Sequence, residues 1–339
     1  MKILFIGWNR MGDGVMSLCV IQELIKLYPN ASITLLCGPL AYEVMRTIPC
    51  LDRCEIVHKK PWKRHWLEIL WFVEQHRWDL VVDLKNTIVS RLTFSRRKLI
   101  FRPQTDQSSV HDDLARMVGT ARLPFPKLWI DEEAAQFATR LLLGQDRIVT
   151  FGLGAARNNK IWPIQNYIAL ANLLIDYCSH GSPIKFMVVG SRDELDLAEK
   201  LRQGIPPGRL INLIANTETD SIMTQAACIS HSMLYVGNDS GFMHVAAAVE
   251  VPTVGIFGPT DSRVYGPFGP SAAAVTADGA NGPVDIGTVS VEAVFQAARK
   301  LVEQRKLVEQ RKLVEQRKLV EQREPAPGTT ATAVSRQSP

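Results

Sequence analysis

Two kinds of segment are missing from this 339-residue sequence. No apolar run approaches the roughly eighteen residues that a membrane-spanning helix needs, so the sequence predicts no transmembrane segment. The six cysteines lie scattered in apolar segments, and neither a histidine nor a second cysteine pair completes a zinc pattern around Cys50 and Cys54. These absences argue against an integral membrane protein and against a zinc module. We expect reduced, buried cysteines and no metal site.

An export signal is also missing. The chain begins with MKILFIG, which is apolar over too short a stretch for a signal peptide and is followed by no small-residue cleavage site. We interpret these residues as a first β-strand and expect a cytoplasmic protein. The hydrophobic fraction of 46% and the charged fraction of 22% are typical of a soluble globular protein. The length allows two domains, each with its own core.

Short apolar strands alternate with helical stretches along most of the chain. In the first half we expect strands at residues 3–6, 33–36 and 80–83 and a helix at 15–27, and a second series of the same kind covers residues 148–257. This alternation predicts parallel βαβ units, and hence an α/β protein of two Rossmann-like units with a cleft between them. In such sheets, ligands bind beyond the carboxyl ends of the strands.

The same pattern gives the expected domain limits. Residues 1–145 form a first Rossmann-like domain and residues 146–285 a second. Residues 286–323 form a C-terminal helix, and we expect its first part to pack toward the first domain. Residues 324–339 are rich in Pro, Thr, Ala and Ser, so we expect a disordered tail there.

The C-terminal helix contains an internal repeat. The sequence RKLVEQ occurs four times in tandem from Arg299 to Gln322. Its residues are good helix formers, and basic residues flank each glutamate at helical spacing. Six residues advance a helix by about 600°, so the Leu-Val pair slips by about 120° in each repeat and forms no continuous apolar face. We therefore expect a mostly solvated extension and no coiled coil.

The strongest functional signal is the stretch YVGNDSGFMHVAAA at residues 235–248. A strand leads into a Gly-Asn-Asp-Ser-Gly turn, and a helix of small residues follows directly. The free N–H groups and the positive dipole end of a helix N-terminus favour a phosphate. An Asp or Ser before a helix is often only a cap. A cap, however, requires neither His244 one turn further along nor the loop GPTD at 258–261, so we interpret the turn as a phosphate site.

The run from Gly237 to Asp261 resembles the donor-binding signature of glycosyltransferase family 9, the lipopolysaccharide heptosyltransferases. The resemblance extends over roughly residues 1–285 and is carried by several separated segments. It implies a GT-B fold, in which two Rossmann-like domains face an interdomain cleft. It also implies inverting transfer of heptose from ADP-heptose to the inner core of lipopolysaccharide, at the cytoplasmic face of the inner membrane. The first domain would bind the acceptor and the second the sugar-nucleotide donor.

A second segment of the resemblance is GLGAARNNKIWP at residues 152–163. Its Lys-x-Trp-Pro pattern is similar to the family's, in which the lysine contacts the donor phosphates, and a flexible ammonium suits a diphosphate leaving group. The alternative is a surface lysine beside a core tryptophan. Ala155 and Ala156 stand where the family often has hydroxyl residues, which leaves backbone N–H groups to contact phosphate there. The donor residues implied so far are Lys160, Asp239, Ser240, Gly241 and His244.

The segment GSRDE at residues 190–194 also follows a predicted strand. An acidic residue here is similar in position to one that binds the nucleotide ribose in the family. Two ribose hydroxyls facing one carboxylate make good charge-assisted hydrogen bonds. Acidic residues in a first helical turn are also favoured by the helix dipole alone. Glu194 is thus a predicted donor ligand with a structural alternative.

The segment NRMGDGV at residues 9–15 resembles the family's glycine-aspartate loop, whose aspartate is the catalytic base. Inversion needs a base to accept the proton of the attacking acceptor hydroxyl. We expect Asp13 to take this role from a loop that faces the cleft; the alternative is a cap for the helix at Val15. The spacing of Gly7, Gly12 and Gly14 does not match the dinucleotide fingerprint, which disfavours an oxidoreductase.

Positive charge is concentrated around residues 59–65 and 91–98, within a net charge of +5. The stretch HKKPWKRHW interleaves basic groups with tryptophans, as nucleic-acid sites and membrane-surface segments do, although a charge run is also often a solvated face. A similar basic stretch in the family engages the anionic, lipid-linked acceptor. The resemblance therefore implies acceptor contact, peripheral membrane contact and no nucleic acid. The acceptor residues it implies are Lys59, Lys60, Lys63 and Arg64, extended by Arg91, Arg96 and Arg97.

No cofactor is predicted. A departing nucleoside diphosphate held by a lysine and by helix N-terminal donors needs no metal, and the sequence contains no Asp-x-Asp pattern. Two other functions stay open. One is a different sugar-nucleotide enzyme on the same fold, such as an epimerase or a hexosyltransferase. The other is a catalytically degenerate binding protein that uses the repeat helix as its interaction element.

Overall fold

The computed structural model describes residues 1–58, 65–104, 108–179, 181–277 and 284–321. These residues form two all-parallel β-sheets, of five and six strands. The strands of the first sheet are β1 (Lys2–Ile6), β2 (Ser32–Cys37), β3 (Leu51–Ile56), β4 (Trp78–Asp83) and β5 (Ser95–Ile100). Those of the second are β6 (Ile148–Gly152), β7 (Lys185–Val189), β8 (Leu210–Asn212), β9 (Leu234–Asn238), β10 (Thr253–Ile256) and β11 (Ala272–Val275).

Helices cover the faces of both sheets. The helices that precede β6 are α1 (Met11–Leu27), α2 (Pro39–Met45), α3 (His65–Glu74), α4 (Ile88–Leu92), α5 (Val110–Val118) and α6 (Glu132–Leu141). Those that follow β6 are α7 (Ile164–Tyr177), α8 (Leu195–Gly204), α9 (Ile222–Ser230), α10 (Gly241–Ala248), α11 (Ser262–Tyr265) and α12 (Val291–Glu321). The strand orders are β3-β2-β1-β4-β5 and β11-β10-β9-β6-β7-β8. The order in which strands are added therefore reverses between β1 and β4 in the first sheet and between β6 and β9 in the second.

The central strands are continuous apolar runs because both of their faces are buried. In β1, Ile3 and Phe5 pack with α1, α2 and α5, whereas Leu4 and Ile6 pack with α3 and α4. The expected strands at residues 3–6, 33–36 and 80–83 all lie inside observed strands, and the α/β fold prediction is confirmed.

Sequence reasoning missed β3, β5, β8 and β11. These four are the outer strands of the two sheets. An outer strand has one unpaired side and a partly solvated face, so it tolerates charge: β5 reads SRRKLI and β3 reads LDRCEI. Apolar periodicity is weak in such sequences, and the strands were therefore invisible to a search for apolar runs.

The two sheets are joined by a packed helical interface. Helix α1 packs on α10, and both α2 and α6 pack on α9. The backbone N–H of Leu128 donates to the carbonyl of Ala248 at 3.0 Å, and Arg46 pairs with Asp131 at 2.5 Å. A single apolar cluster therefore runs from α1 and α2 into α9 and α10. This interface fixes the carboxyl ends of the two sheets opposite one another.

Helix α12 corrects one expectation and confirms another. Its first part packs on α7, β9, β10 and β11, the elements of its own domain, and not toward the first sheet as expected. In the first repeat Leu301 and Val302 are 5% and 4% exposed, whereas Leu307 and Val308 in the second are 55% and 49% exposed. The apolar pair thus leaves the core after one repeat, as the six-residue period predicts.

Candidate active site between the two domains

A cleft of about 800 Å³ separates the carboxyl ends of the two sheets. One wall is the first turn of α1 with the residue before it, and the other is built from the turn before α10 and from the loops after β6 and β10. Six residues named from the sequence line this cleft: Asp13, Lys160, Asp239, Ser240, Gly241 and His244. Sequence positions more than 200 apart therefore meet at one site.

Lys160 and Asp239 form an ion pair on the donor-side wall. The lysine Nζ lies 2.5 Å from Asp239 Oδ2, and the side chains are 19% and 10% exposed. Lys160 ends the short 3-10 turn Asn158–Lys160, and Asp239 follows β9 directly. The carboxylate holds the ammonium at the cleft, where it can neutralise an anionic group on a ligand.

Asn238, which the sequence analysis did not name as a site residue, fixes this wall. Its amide is fully buried and donates to the carbonyl of Leu153 at 2.7 Å. Its Oδ1 accepts from the backbone N–H of Trp162 at 3.0 Å and from the hydroxyl of Tyr167 at 3.1 Å. The side chain thereby ties the loop that carries Lys160 to the turn before α10. Its place in the sequence, between a predicted strand and the start of a helix, is the feature from which this role could have been predicted.

Two helix N-termini converge on the cleft. Ser240 is the N-cap residue of α10, and its side chain makes no capping hydrogen bond. Helix α1 begins at Met11, and a Cβ on Gly12 would stand 2.9 Å from the ring of His244 and 3.4 Å from the Cα of Gly241. The positive ends of both helices therefore face the same space. This arrangement favours a phosphate or diphosphate.

His244 is a neutral residue of this wall. It is 6% exposed, and burial lowers its pKa to about 4; the Asp239 carboxylate opposes this shift and Lys160 adds to it. Its imidazole is consequently uncharged at neutral pH, so it would contact a phosphate as a hydrogen-bond donor and not as a cation. Its predicted role in donor binding stays a prediction.

Asp13 occupies the first turn of α1 and not a loop, which corrects the expectation that the helix starts at Val15. The helix begins at Met11, and Gly12 and Gly14 concealed its first turn because glycine is a poor helix former. Burial raises the pKa of the Asp13 carboxyl; the Arg10 charge opposes this rise and the Asp239 charge adds to it. The Asp13 carboxyl lines the cleft, and its predicted role as the catalytic base stays a prediction.

Glu194 lies apart from these residues, beside the carboxyl ends of β6 and β7. It ends a 3-10 turn, Arg192–Glu194, ahead of α8. Its carboxylate packs so tightly on Gly154 and Gly190 that a Cβ at either glycine would overlap it. Burial raises the pKa of Glu194 from its ordinary 4.5 to about 7, although hydrogen bonds from Ser191 lower it. The predicted ribose contact stays a prediction.

Replacing Glu194 by Gln is expected to stabilise the ligand-free protein at alkaline pH. A carboxyl whose pKa is higher in the folded state than in the unfolded state loses stability as pH rises through the interval from 4.5 to about 7. The variant should therefore gain roughly 2 kcal/mol in the free energy of unfolding at pH 8, after allowance for partial solvent exposure, and almost nothing at pH 4. Urea unfolding at both pH values measures this difference.

Glu199 provides the control for that experiment. It is fully exposed, and hydrogen bonds from the Arg202 side chain lower its pKa to about 2. Glu199→Gln should produce no gain that grows with pH. If Glu194→Gln changes the free energy of unfolding equally at both pH values, then burial does not disfavour the ionised Glu194 carboxylate.

The remaining predicted positions lie elsewhere. Lys59, Lys60, Lys63 and Arg64 fall outside the described residues. Arg91 and Arg96 are exposed on the α3–α4 side of the first sheet. Arg97 points to the opposite side, where its guanidinium donates to the hydroxyl of Tyr28 at 3.5 Å, so it does not extend that patch.

Several cleft residues were not found from the sequence. Three of them were not named as site residues: Arg10 precedes α1, Arg157 lies in the loop after β6 and Tyr265 ends α11. Thr260 and Asp261 lie in the GPTD loop that the sequence singled out, but they were not named individually as site residues. Asp261 caps α11 and pairs with Arg263 at 2.6 Å. Within the described ranges, no group of three or more His, Cys, Asp or Glu side chains is placed to hold a metal ion.

Two Rossmann-like domains that face one cleft, with the Lys160–Asp239 ion pair on one wall and the half-buried Asp13 carboxylate on the other, define a GT-B protein. Sequence and structure comparisons agree with this class. A sequence model described as "Glycosyltransferase family 9 (heptosyltransferase)" matches residues 111–285, which is just over half of the chain. The chain belongs to glycosyltransferase family 9.

Similar proteins support this placement. Lipooligosaccharide heptosyltransferase 2 of Haemophilus influenzae is 25% identical over 329 residues, covering 80% of this chain and 87% of that protein. The structure of E. coli ADP-heptose lps heptosyltransferase II superposes with a TM-score of 0.72 at 18% identity, covering 90% of this chain and 100% of that one. E. coli heptosyltransferase WaaC with ADP superposes with a TM-score of 0.68 at 18% identity, covering 89% and 100%.

Proposed function

We propose that this glycosyltransferase moves heptose from ADP-heptose to the inner core of lipopolysaccharide, with inversion at the anomeric carbon. The observation that carries the proposal is the division of the cleft: Asp13 belongs to one domain, and the Lys160–Asp239 pair with the N-terminus of α10 belongs to the other. The donor identity is supported by the names of the similar heptosyltransferases, one of which was solved with ADP.

The proposed chemistry is a single displacement. Asp13 removes the proton from the acceptor hydroxyl, whose oxygen attacks the anomeric carbon as the bond to the ADP oxygen breaks. Lys160 and the N–H groups at the start of α10 stabilise the negative charge that develops on the diphosphate. Because the base and the leaving-group site lie on opposite walls, attack from the face opposite ADP follows, and inversion with it.

The other two carboxylates of the cleft are engaged in ion pairs, Asp239 with Lys160 and Asp261 with Arg263. Asp13, by contrast, forms no salt bridge with any residue that the structure describes. This difference favours Asp13 as the catalytic base, and it argues against Asp239 or Asp261 as a nucleophile. A retaining double displacement would need such a nucleophile.

A transfer assay with ADP-heptose and a core-truncated lipopolysaccharide tests the proposal. We expect ADP release coupled to heptose incorporation, and NMR of the product should show the anomeric configuration opposite to that of the donor. Parallel thermal unfolding with ADP-heptose, ADP-glucose and UDP-glucose identifies the donor. Retention of configuration, or stabilisation by UDP-glucose alone, would contradict the proposal.

We also propose that the first domain approaches its lipid-linked acceptor through an apolar ridge on α3, on α4 and on the residues between α4 and β5. Each side chain of the ridge is more than half exposed: Leu67, Trp71, Ile88, Leu92 and Phe94. The two helices contact each other, and the basic side chains of Arg91, Arg96 and Lys98 border them. No helix within the described residues is long and apolar enough to cross a membrane. Apolar side chains rimmed by cations suit the surface of an anionic bilayer.

Trp71→Glu is expected to weaken binding to phosphatidylglycerol vesicles by about tenfold, because it removes a large apolar side chain and adds a charge of the wrong sign. Vesicle co-sedimentation measures the bound fraction. Leu143→Glu is the matched control, since Leu143 is 80% exposed at a site remote from the ridge. Equal losses in the two variants, or no loss in either, would contradict this use of the ridge.

A further inference from the structure

The hydroxyl of Tyr235 is buried without a partner. The side chain is fully buried in β9, and its oxygen has no hydrogen-bond partner of ordinary geometry among the described residues. A buried hydroxyl that lacks a partner costs roughly 1–3 kcal/mol of stability. Phenylalanine would fill the same space without that cost, so the retained hydroxyl calls for an explanation.

The position of the phenol indicates what the hydroxyl serves. Gly152 of β6 and Gly237 of β9 are paired in register, and a Cβ on either would overlap the Tyr235 hydroxyl or come within 2.5 Å of it. The ring therefore runs across these two glycines toward the carboxyl ends of β6 and β9. That is the point at which the strand order of the second sheet reverses, where sheets of this kind bind ligands.

Two groups of the donor site lie close to the phenol. Burial raises the pKa of Tyr235, a hydrogen-bonding interaction with the Ser240 side chain lowers it, and the charge of Glu194 raises it further. Ser240 is therefore close enough to interact with the phenol, although the two hydroxyls do not meet the geometry of an ordinary hydrogen bond. Ser240 makes no side-chain capping bond to α10 and lines the cleft, so its hydroxyl lies between the phenol and the cleft.

We propose that Tyr235 is a positioning residue for the donor diphosphate, acting through Ser240. When a phosphate occupies the start of α10, the Tyr235 O–H donates to Ser240 Oγ, and the serine O–H donates to a phosphate oxygen. Accepting one hydrogen bond fixes the serine rotor and strengthens the bond that it donates. The inference rests on the donor site proposed above. It assigns to the Tyr235 hydroxyl a task that phenylalanine at this position could not perform.

The test measures ADP affinity by calorimetry and ligand-free stability by urea unfolding in Tyr235→Phe, Ser240→Ala and the double variant. We expect Tyr235→Phe to raise the Kd for ADP about fivefold while leaving the ligand-free protein equally or more stable, because an unpartnered hydroxyl is removed. In the double variant, the Kd should match that of Ser240→Ala alone, since the phenol acts only through the serine.

Tyr167→Phe is the contrasting control for stability. Tyr167 is also fully buried, but its hydroxyl donates to Gly152 and Asn238, so its loss should destabilise the ligand-free protein. If Tyr235→Phe leaves the Kd for ADP unchanged, the inference is overturned, and a loss of stability like that of Tyr167→Phe would show that the hydroxyl is structural. Additive effects in the double variant also overturn it. If the unsubstituted protein binds neither ADP nor an ADP-sugar, the proposed donor site fails first and takes the inference with it.

Discussion

Replacing Asp13 by Asn is expected to reduce the rate of transfer by a factor between about a hundred and ten thousand, the range that a general base contributes. Binding of ADP should persist, because the asparagine keeps the size of the side chain and Asp13 carries charge of the same sign as the diphosphate. Removing that charge also relieves its repulsion with Asp239. Initial rates with ADP-heptose, together with calorimetric titration of ADP, separate the two effects.

The pH dependence of the rate provides a second check on Asp13. Burial raises the pKa of this carboxyl, so the base form is lost at a higher pH than for an ordinary aspartate. The rate should therefore fall on the acidic side as pH drops through that raised pKa. In Asp13→Asn the residual rate should lack this acidic limb, whereas a purely structural defect would lower the whole profile without changing its shape.

Asp112→Asn is the matched control, because Asp112 stands in the first turn of α5 as Asp13 stands in that of α1. It is exposed and lies outside the lining of the cleft. Both variants lose a similar interaction with a helix dipole, so the control removes that contribution from the comparison. Full activity in Asp13→Asn would place the base elsewhere.

Local chemistry was sufficient to predict the central part of the molecule. The inner strands are long apolar runs whose burial on both faces leaves little choice of structure. The composition of the Gly237–Gly241 turn was enough to predict a junction between a strand and a helix. Lys160 and Asp239 were named separately from the sequence, and the structure brings them to 2.5 Å. Residues at the carboxyl ends of neighbouring parallel strands must meet, which is why this part of the prediction succeeded.

The features that were missed depend on contacts between distant segments. Whether α12 packs on the first or the second domain is decided by the surface that Leu301 and Val302 meet, and their own periodicity does not specify it. The start of α1 at Met11 is likewise stabilised by packing against Gly241 and His244, which offsets the poor helix propensity of its two glycines. Tertiary contacts outweigh local propensity in both cases.

Replacing Lys160 by Ala is expected to raise the Kd for ADP by about a hundredfold and to lower kcat by a factor of about a hundred to a thousand. The ammonium lies 2.5 Å from Asp239, in the wall that would receive the diphosphate. Its removal takes away a cation that stabilises the leaving group. It also leaves the Asp239 carboxylate uncompensated next to the incoming phosphate, so repulsion is added to the lost attraction.

A second substitution separates these two effects. The double variant Lys160→Ala with Asp239→Asn still lacks the lysine cation, but it no longer has the Asp239 charge that repels the phosphate. It should therefore bind ADP more tightly than Lys160→Ala alone. Lys26→Ala is the control, because Lys26 is exposed in the last turn of α1, pairs with the buried Glu23 and lies outside the lining of the cleft, so its loss should leave ADP binding unchanged. If Lys160→Ala binds ADP as tightly as the unsubstituted protein, the ion pair only braces the wall. The N-terminus of α10 would then hold the diphosphate without a cationic partner from the loop after β6.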